Sequence, residues 1–255
     1  MRLVRFQTIE GKFWGEFQPE GITPIIGDPF QSFRLDSQQY QHQDVKLLAP
    51  VVPSKIICVG LNYRDHIAES STADTPPSEP LLFFKPPSSL IGPGETIVLP
   101  TSSEQVDFEG ELALIIGQRC YKVAEAEADE FIFGLSCAND VTARDYQRKD
   151  KQWARAKGFD TFCPIGPWVD VGLDYHGLEI ETLVNMIPRQ QANVNDMVFN
   201  PAFLVSFISS IMTLEVGDVI LTGTPAGVGA LSEGQRIEVR IQNLGSLVND
   251  VRLEL

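Results

Sequence analysis

In VDFEGELALIIG, residues 106–117, three acids at alternate positions lead into an apolar run. An extended strand sends successive side chains to opposite faces, so Asp107, Glu109 and Glu111 project to one side. Like charges placed this way repel unless they are solvated, protonated or bound to a cation. A solvated sheet edge is the commoner reading of a Glu-x-Glu pair. Here Leu112, Ala113, Leu114, Ile115 and Ile116 are apolar on both faces, the pattern of a strand covered on both sides, which sets Glu109 and Glu111 at the lip of a buried sheet. A hard divalent cation resolves the conflict, because Mg²⁺, Mn²⁺ and Ca²⁺ prefer carboxylate oxygens and Mg²⁺ keeps positions for water and substrate. The best third ligand is Asp140, in SCANDVTARDYQ, although Asn-Asp also marks turns and caps and Asp140 could pair with Arg144 at i+4.

Other chemistry-bearing residues gather near these acids in sequence. Six of the 20 basic residues, Arg144, Arg148, Lys149, Lys151, Arg155 and Lys157, fall within fourteen positions of a chain whose net charge is −14. They form either a solvated helix face or a receiver for an anionic substrate held on the metal. Of three histidines, His42 and His176 sit in polar, loop-like surroundings. His66 lies three residues before Glu69 in RDHIAES; on a helix the two share a face, and the carboxylate could orient the imidazole as a general base, though such a pair also arises by chance. GTPAGVG (223–229) lacks the Lys of a P-loop and the spacing of a dinucleotide fingerprint, so it reads as a tight turn. The four cysteines, Cys58, Cys120, Cys137 and Cys163, form no CxxC pair and read as core residues of a reducing compartment.

The elements that must position these groups are mostly strands. With 255 residues and 43% hydrophobic content the chain can bury a large core. Its acidity argues against nucleic acid or an anionic membrane as partner, and no apolar run is long enough to span a bilayer. The start, MRLVRFQTIEGKFW, lacks a signal-peptide pattern, so the expected location is cytoplasmic. LVRFQTIEGKFWGEF reads as a β-hairpin around Glu10-Gly11, part of a small β subdomain over residues 1–54. Residues 55–255 hold short apolar runs (IICVG, LLFF, TIVL, LALIIG, PWVDV, DVILTG, RIEVRI) bounded by Gly, Pro or polar turns, the pattern of a strand-dominated domain. NYRDHIAE reads as a helix with Asn62 available as its cap. The clearest helix runs from Pro201 to Leu214 behind an Asn200 cap, with Phe203, Leu204, Phe207, Ile208 and Ile211 on one face.

Taken in order, GLNYRDHIAE (60–69), FFKP (83–86), DFEGELALIIG (107–117), NDVTARDYQ (139–147), KGFDTFCPIGP (157–167) and GDVILTGTPAGVG (217–229) resemble the fumarylacetoacetate hydrolase family. The resemblance implies a mixed α/β, β-rich fold, a β-roll core with flanking helices plus the small N-terminal β subdomain, usually as a homodimer. It implies a Mg²⁺ or Mn²⁺ ion on Glu109, Glu111 and Asp140, and a small anionic keto acid as substrate. A 2-oxo acid would chelate the ion through its carboxylate and keto oxygen, stabilising the enolate formed when a bond two carbons away breaks. In acylpyruvate hydrolysis His66, oriented by Glu69, would activate the attacking water, and Lys157 would support the charge developing on oxygen. Lys85, Gln147 and Thr224, with Lys157, match pocket-lining positions. Oxaloacetate decarboxylation would pass through the same enolate without water, and an isomerase or tautomerase of hydroxydienedioates or oxaloacetate would return a proton instead of breaking a bond. The His66–Glu69 pair resembles the acylpyruvate hydrolase and oxaloacetate decarboxylase branch, from which the chain departs in having Leu61 where Arg often precedes Asn-Tyr. The Ser/Pro-rich stretch 70–80 is expected to order as a lid over bound ligand. Asp107 has the right parity but no place in the ligand set, and reads as a supporting acid.

Overall fold

Strand Gly110–Ile116 lies inside the largest sheet, and Leu112 to Ile116 are completely buried, as their two-sided apolar pattern requires. The structure is a computed structural model that describes residues 1–69 and 75–255; the expected lid falls partly on residues 70–74, outside the described residues. Leu112, Leu114 and Ile116 point into a core shared with Leu204, Val205 and Ile208 of the helix Pro201–Ile211 and with Ile180, Val239 and Ile241. Ala113 and Ile115 point the other way, into a core with Leu3, Ile56, Cys58 and Ile165. Successive residues thus face different cores, which is why neither face carries polar side chains until Glu111.

Among the described residues this sheet has twelve strands. Gly110–Ile116 pairs antiparallel with Ile132–Asn139 and with Val219–Leu221, and the latter runs parallel to Ile56–Gly60. A five-stranded sheet, which includes Glu179–Val184, Arg236–Ile241 and Gly245–Leu253, covers one face; strands outweigh helices throughout. The N-terminal hairpin, Arg2–Thr8 with Gly11–Gln18, extends the large sheet by pairing Arg2 with Asp170 and Leu3 with Val169. All four cysteines are free and buried, and burial pushes the Cys137 and Cys163 thiols up to about 12. No helix among the described residues is long and apolar enough to cross a membrane.

Two local expectations change. Asn62 does not cap the helix Arg64–Glu69: its amide donates to Thr222 O at 2.7 Å and Phe199 O at 3.0 Å and accepts from Phe199 N at 2.8 Å, tying three segments together behind the cavity. The helix expected to reach Leu214 stops at Ile211, where Ile211 is exposed and Leu204, Val205 and Ile208 form the buried stripe. Its cap is as expected, with the Asn200 side chain accepting from Phe203 N and Pro201 in the first turn.

Because Leu114 is wholly buried in the central strand, Leu114→Ala is expected to cost about 2–5 kcal/mol, read as a lower denaturant midpoint. Ile9→Ala, at the exposed hairpin tip, is the control and should leave the midpoint where it was.

Candidate active site

The acidic strand does not run unbroken through its three carboxylates. Val106–Phe108 belongs to a small sheet with Thr142–Ala143 and Gly229–Ala230, whereas Gly110–Ile116 belongs to the large one. The ladder opens at Glu109, and side chains make the missing bonds: Asn139 Oδ1 accepts from Glu109 N and Gln190 Oε1 from Gly110 N, both at 2.9 Å. Register is kept across the gap, with Asp107 opposite Thr142 and Gly110 opposite Asn139. Glu109 therefore stands opposite Asp140, whose N–H donates to Glu109 O at 2.8 Å. The expected parity survives this break, and Asp107, Glu109 and Glu111 all line one cavity of about 310 Å³.

Glu109, Glu111 and Asp140 are buried, and one oxygen from each lies within 4.8 Å of the others. Three cations crowd the same space. Lys157 Nζ bridges Glu109 Oε2 at 2.7 Å and Asp140 Oδ2 at 2.5 Å, over the face of Phe83. Lys85 Nζ donates to Asp140 Oδ1 at 2.6 Å and Val141 O at 3.0 Å. Arg144 donates to Glu109 through Nη2, to Asp107 Oδ2 through Nε at 2.8 Å and to Gln147 Oε1 through Nη1 at 2.8 Å. Burial alone would raise the Glu109 pKa, but the charges of Arg144 and Lys157 hold it far below the usual carboxylate range. Burial likewise opposes the Lys157 charge, and Asp140 and Glu109 outweigh it and raise its pKa.

Glu111 is the exception among the four acids. Among the described residues its Oε2 accepts only the Gly223 N–H at 2.7 Å, and it has no cationic partner. Burial, with Asp140 and Glu109 beside it, pushes its carboxyl well above the ordinary range. A buried set of carboxylate oxygens, one of them without a cationic partner among the described residues, fits a hard divalent cation and does not fit a soft one.

His66 and Glu69 come from the short helix Arg64–Glu69 and both line the cavity. Their separation is 3.9 Å, too long for a hydrogen bond, and Glu69 Oε2 instead accepts from Gly227 N at 2.8 Å. His66 Nδ1 is buried, and among the described residues it has no partner. Burial depresses the imidazole pKa below 6.5, the largest influence on it, so the ring is neutral near pH 7.

Gln147, Lys157 and Thr224 reach the cavity, as do Arg144 and Arg148. Lys85, expected on the cavity wall, stands behind Asp140 and is not among the lining residues. The basic cluster divides: Lys149, Lys151 and Arg155 point to solvent, and Arg155 pairs with Asp150 at 2.7 Å. Sequence reasoning missed Gln105, Asn139, Trp153 and Gln190. Gln190 donates to Thr224 Oγ1 at 2.7 Å and Pro225 O at 2.8 Å while supporting Gly110, so it fixes two walls from a strand with no local motif. Nothing near Gln190 in sequence sets it apart, whereas Gln105 and Asn139 adjoin the acidic strand and Asp140, and Trp153 lies within the basic run, a proximity that could have found them.

The model of the fumarylacetoacetate (FAA) hydrolase C-terminal family matches residues 55–252, and that of an Rv2993c-like N-terminal family matches residues 1–50. Protein Rv2993c of Mycobacterium tuberculosis is 44% identical over 97% of this chain and 94% of its own length. The mitochondrial oxaloacetate tautomerase FAHD2A of Bos taurus is 42% identical over 82% of this chain and 70% of its own. Among solved structures, a 5-carboxymethyl-2-hydroxymuconate delta-isomerase from Mycobacterium smegmatis matches over the whole of both chains with a TM-score of 0.93 at 41% identity.

A carboxyl with a raised folded pKa binds its proton more tightly in the folded chain, so it costs stability as pH rises from about 4.5 through the folded value. Metal-free Glu111→Gln, kept in chelator, is therefore expected to melt above the metal-free parent at pH 7, with the gap closing toward pH 4.5. A variant that melts below the parent at pH 7 would contradict this charge balance.

Proposed function

The chain belongs to the fumarylacetoacetate hydrolase family, and on that premise we propose that it is a divalent-metal-dependent tautomerase or isomerase of small 2-oxo acids. The observation that carries this reading is His66: one neutral imidazole on the wall of a cavity with three buried carboxylates, with no carboxylate hydrogen-bonded to it among the described residues. Moving a proton between carbon and oxygen needs one such base and acid. Activating a water needs, in addition, the oriented partner that Glu69 does not provide at 3.9 Å. The names of the tautomerase and isomerase relatives support the same choice.

Glu109, Glu111 and Asp140 would hold the cation. The chemistry that bound Mg²⁺ or Mn²⁺ supplies there is polarisation of the 2-oxo group, which acidifies the adjacent C–H. His66 takes that proton and, as imidazolium, returns it at oxygen or at a more distant carbon. Lys157, fixed by Glu109 and Asp140, places an ammonium beside the reacting oxygens and offsets their growing charge. Gln147 and Thr224 add polar positions on the wall, while Val59, Phe83, Trp153 and Val228 narrow the space left for water.

A second reading, C–C cleavage of 2,4-dioxo acids or decarboxylation of oxaloacetate, rests on Glu69. Rotation of that side chain would close the 3.9 Å gap and give the acid–imidazole pair that hydrolysis uses. The family's homodimer is part of either reading, and light scattering at the mass of one chain would remove it.

Purified protein with Mg²⁺ or Mn²⁺ should interconvert enol and keto forms of oxaloacetate, acetylpyruvate or a hydroxydienedioate, followed by enol absorbance, with no matching release of pyruvate. Pyruvate appearing at the rate of enol loss would establish cleavage instead. Chelator, or Glu109→Ala, should abolish turnover, and His66→Asn should lower kcat at least about 100-fold. Since burial lowers the His66 pKa, the acid limb of kcat/KM should fall below pH 6.5 and disappear in His66→Asn.

A further inference from the structure

Arg148 is the one cation on the cavity wall whose charge meets no carboxylate among the described residues. Arg144 is spent on Asp107 and Glu109, and Lys157 on Glu109 and Asp140. The two terminal nitrogens of Arg148, Nη1 and Nη2, instead share a single neutral acceptor, Gln105 Oε1, each at 3.2 Å. That arrangement underuses a guanidinium, whose forked edge matches the two oxygens of a carboxylate with shorter, charge-assisted bonds.

The fork is also held in place. Gln105 Nε2 donates to Asp107 at 3.2 and 3.4 Å, and Asp107 is pinned in turn by Arg144 Nε at 2.8 Å. This relay gives Asp107 a role that the ligand set does not: it links the acid cluster to the cavity mouth. Arg144 and Arg148 share one face of the helix Arg144–Lys149, four residues apart, so Arg148 lies about 6 Å farther along it than the arginine that touches Glu109. Roughly five bonds of an extended chain cover that distance.

We propose that Arg148, positioned by Gln105, binds a second carboxylate at the far end of the substrate and is the residue that selects dicarboxylic over monocarboxylic 2-oxo acids. This rests on the reading of the site as one for 2-oxo acids and adds what that reading leaves open, the residue that receives a carboxylate at the remote end. Selectivity follows from the charge ledger. A monocarboxylic 2-oxo acid leaves Arg148 on Gln105, whereas a diacid replaces a neutral acceptor by an anion without disturbing any existing ion pair.

Calorimetric titration of the Mg²⁺- or Mn²⁺-loaded protein with three probes that undergo no net conversion tests this. Oxalate reports the chelating end alone, 2-oxobutyrate adds an apolar tail, and 2-oxoglutarate adds the second carboxylate. The parent should bind 2-oxoglutarate at least about tenfold more tightly than 2-oxobutyrate. Arg148→Gln should erase that preference while changing oxalate affinity less than about twofold, and Arg148→Lys should recover part of it. Because Arg148 is exposed, an unchanged melting temperature checks that the variant is folded. Equal weakening of all three probes, or of none, would overturn the assignment. A parent protein that binds none of them would remove the 2-oxo-acid reading itself, and the assignment with it.

Discussion

Four carboxylates, Asp107, Glu109, Glu111 and Asp140, share one buried region with three cations, Lys85, Arg144 and Lys157. With all four ionised one negative charge is left over, and it falls on Glu111, whose partner among the described residues is the Gly223 N–H. Buried charge is costly unless it is paired and hydrogen-bonded, so every group in this cluster constrains the others. Lys85 fixes Asp140 from behind, Lys157 fixes Asp140 against Glu109, and Arg144 fixes Glu109 against Asp107. A divalent cation on the three converging oxygens would offset that charge and leave the site one positive charge in excess, ready for an anionic ligand.

Such a cluster persists only on a scaffold that does not yield. The central strand supplies it by burying Leu112 to Ile116 in two separate cores, so the strand cannot slide by one residue without exchanging its faces. The register with Ile132–Asn139 then sets Asp140 opposite Glu109, and the loop after Val219–Leu221 delivers Gly223 and Thr224. Function sits where regular pairing stops. At Glu109 the ladder opens, and Asn139 and Gln190 take over its bonds, which frees a carboxylate to face the cavity without leaving the backbone unsatisfied.

The pattern read from the sequence served best where physics is local. Alternation placed three acids on one side, two-sided apolarity announced a covered strand, and the Asn200-Pro201 pair marked a helix start that the structure keeps. It served less well where a polar side chain had several possible partners. Asn62 suits a helix cap by its neighbours, yet it spends its hydrogen bonds on Phe199 and Thr222, more than 130 residues away. The run of six basic residues was legible as a cluster. Which of them face the cavity depends on two short helices whose orientation no local pattern encodes: Arg144, Arg148 and Lys157 turn inward, and the other three do not.

The sequence by itself determined which side of the strand the carboxylates take, because a period of two is a property of the extended backbone, and it determined the acidic donor set, because oxygen chemistry belongs to the residue types. Tertiary structure alone decided the company those carboxylates keep. Asp140 joins Glu109 through strand register, Lys85 stands behind Asp140, Glu69 lies 3.9 Å from His66 while bound to Gly227, and Asp107 joins the acid cluster to Arg148 through Gln105. Each of these depends on distances between residues far apart in the chain, and such distances exist only once the two cores have packed and fixed the strands that carry them.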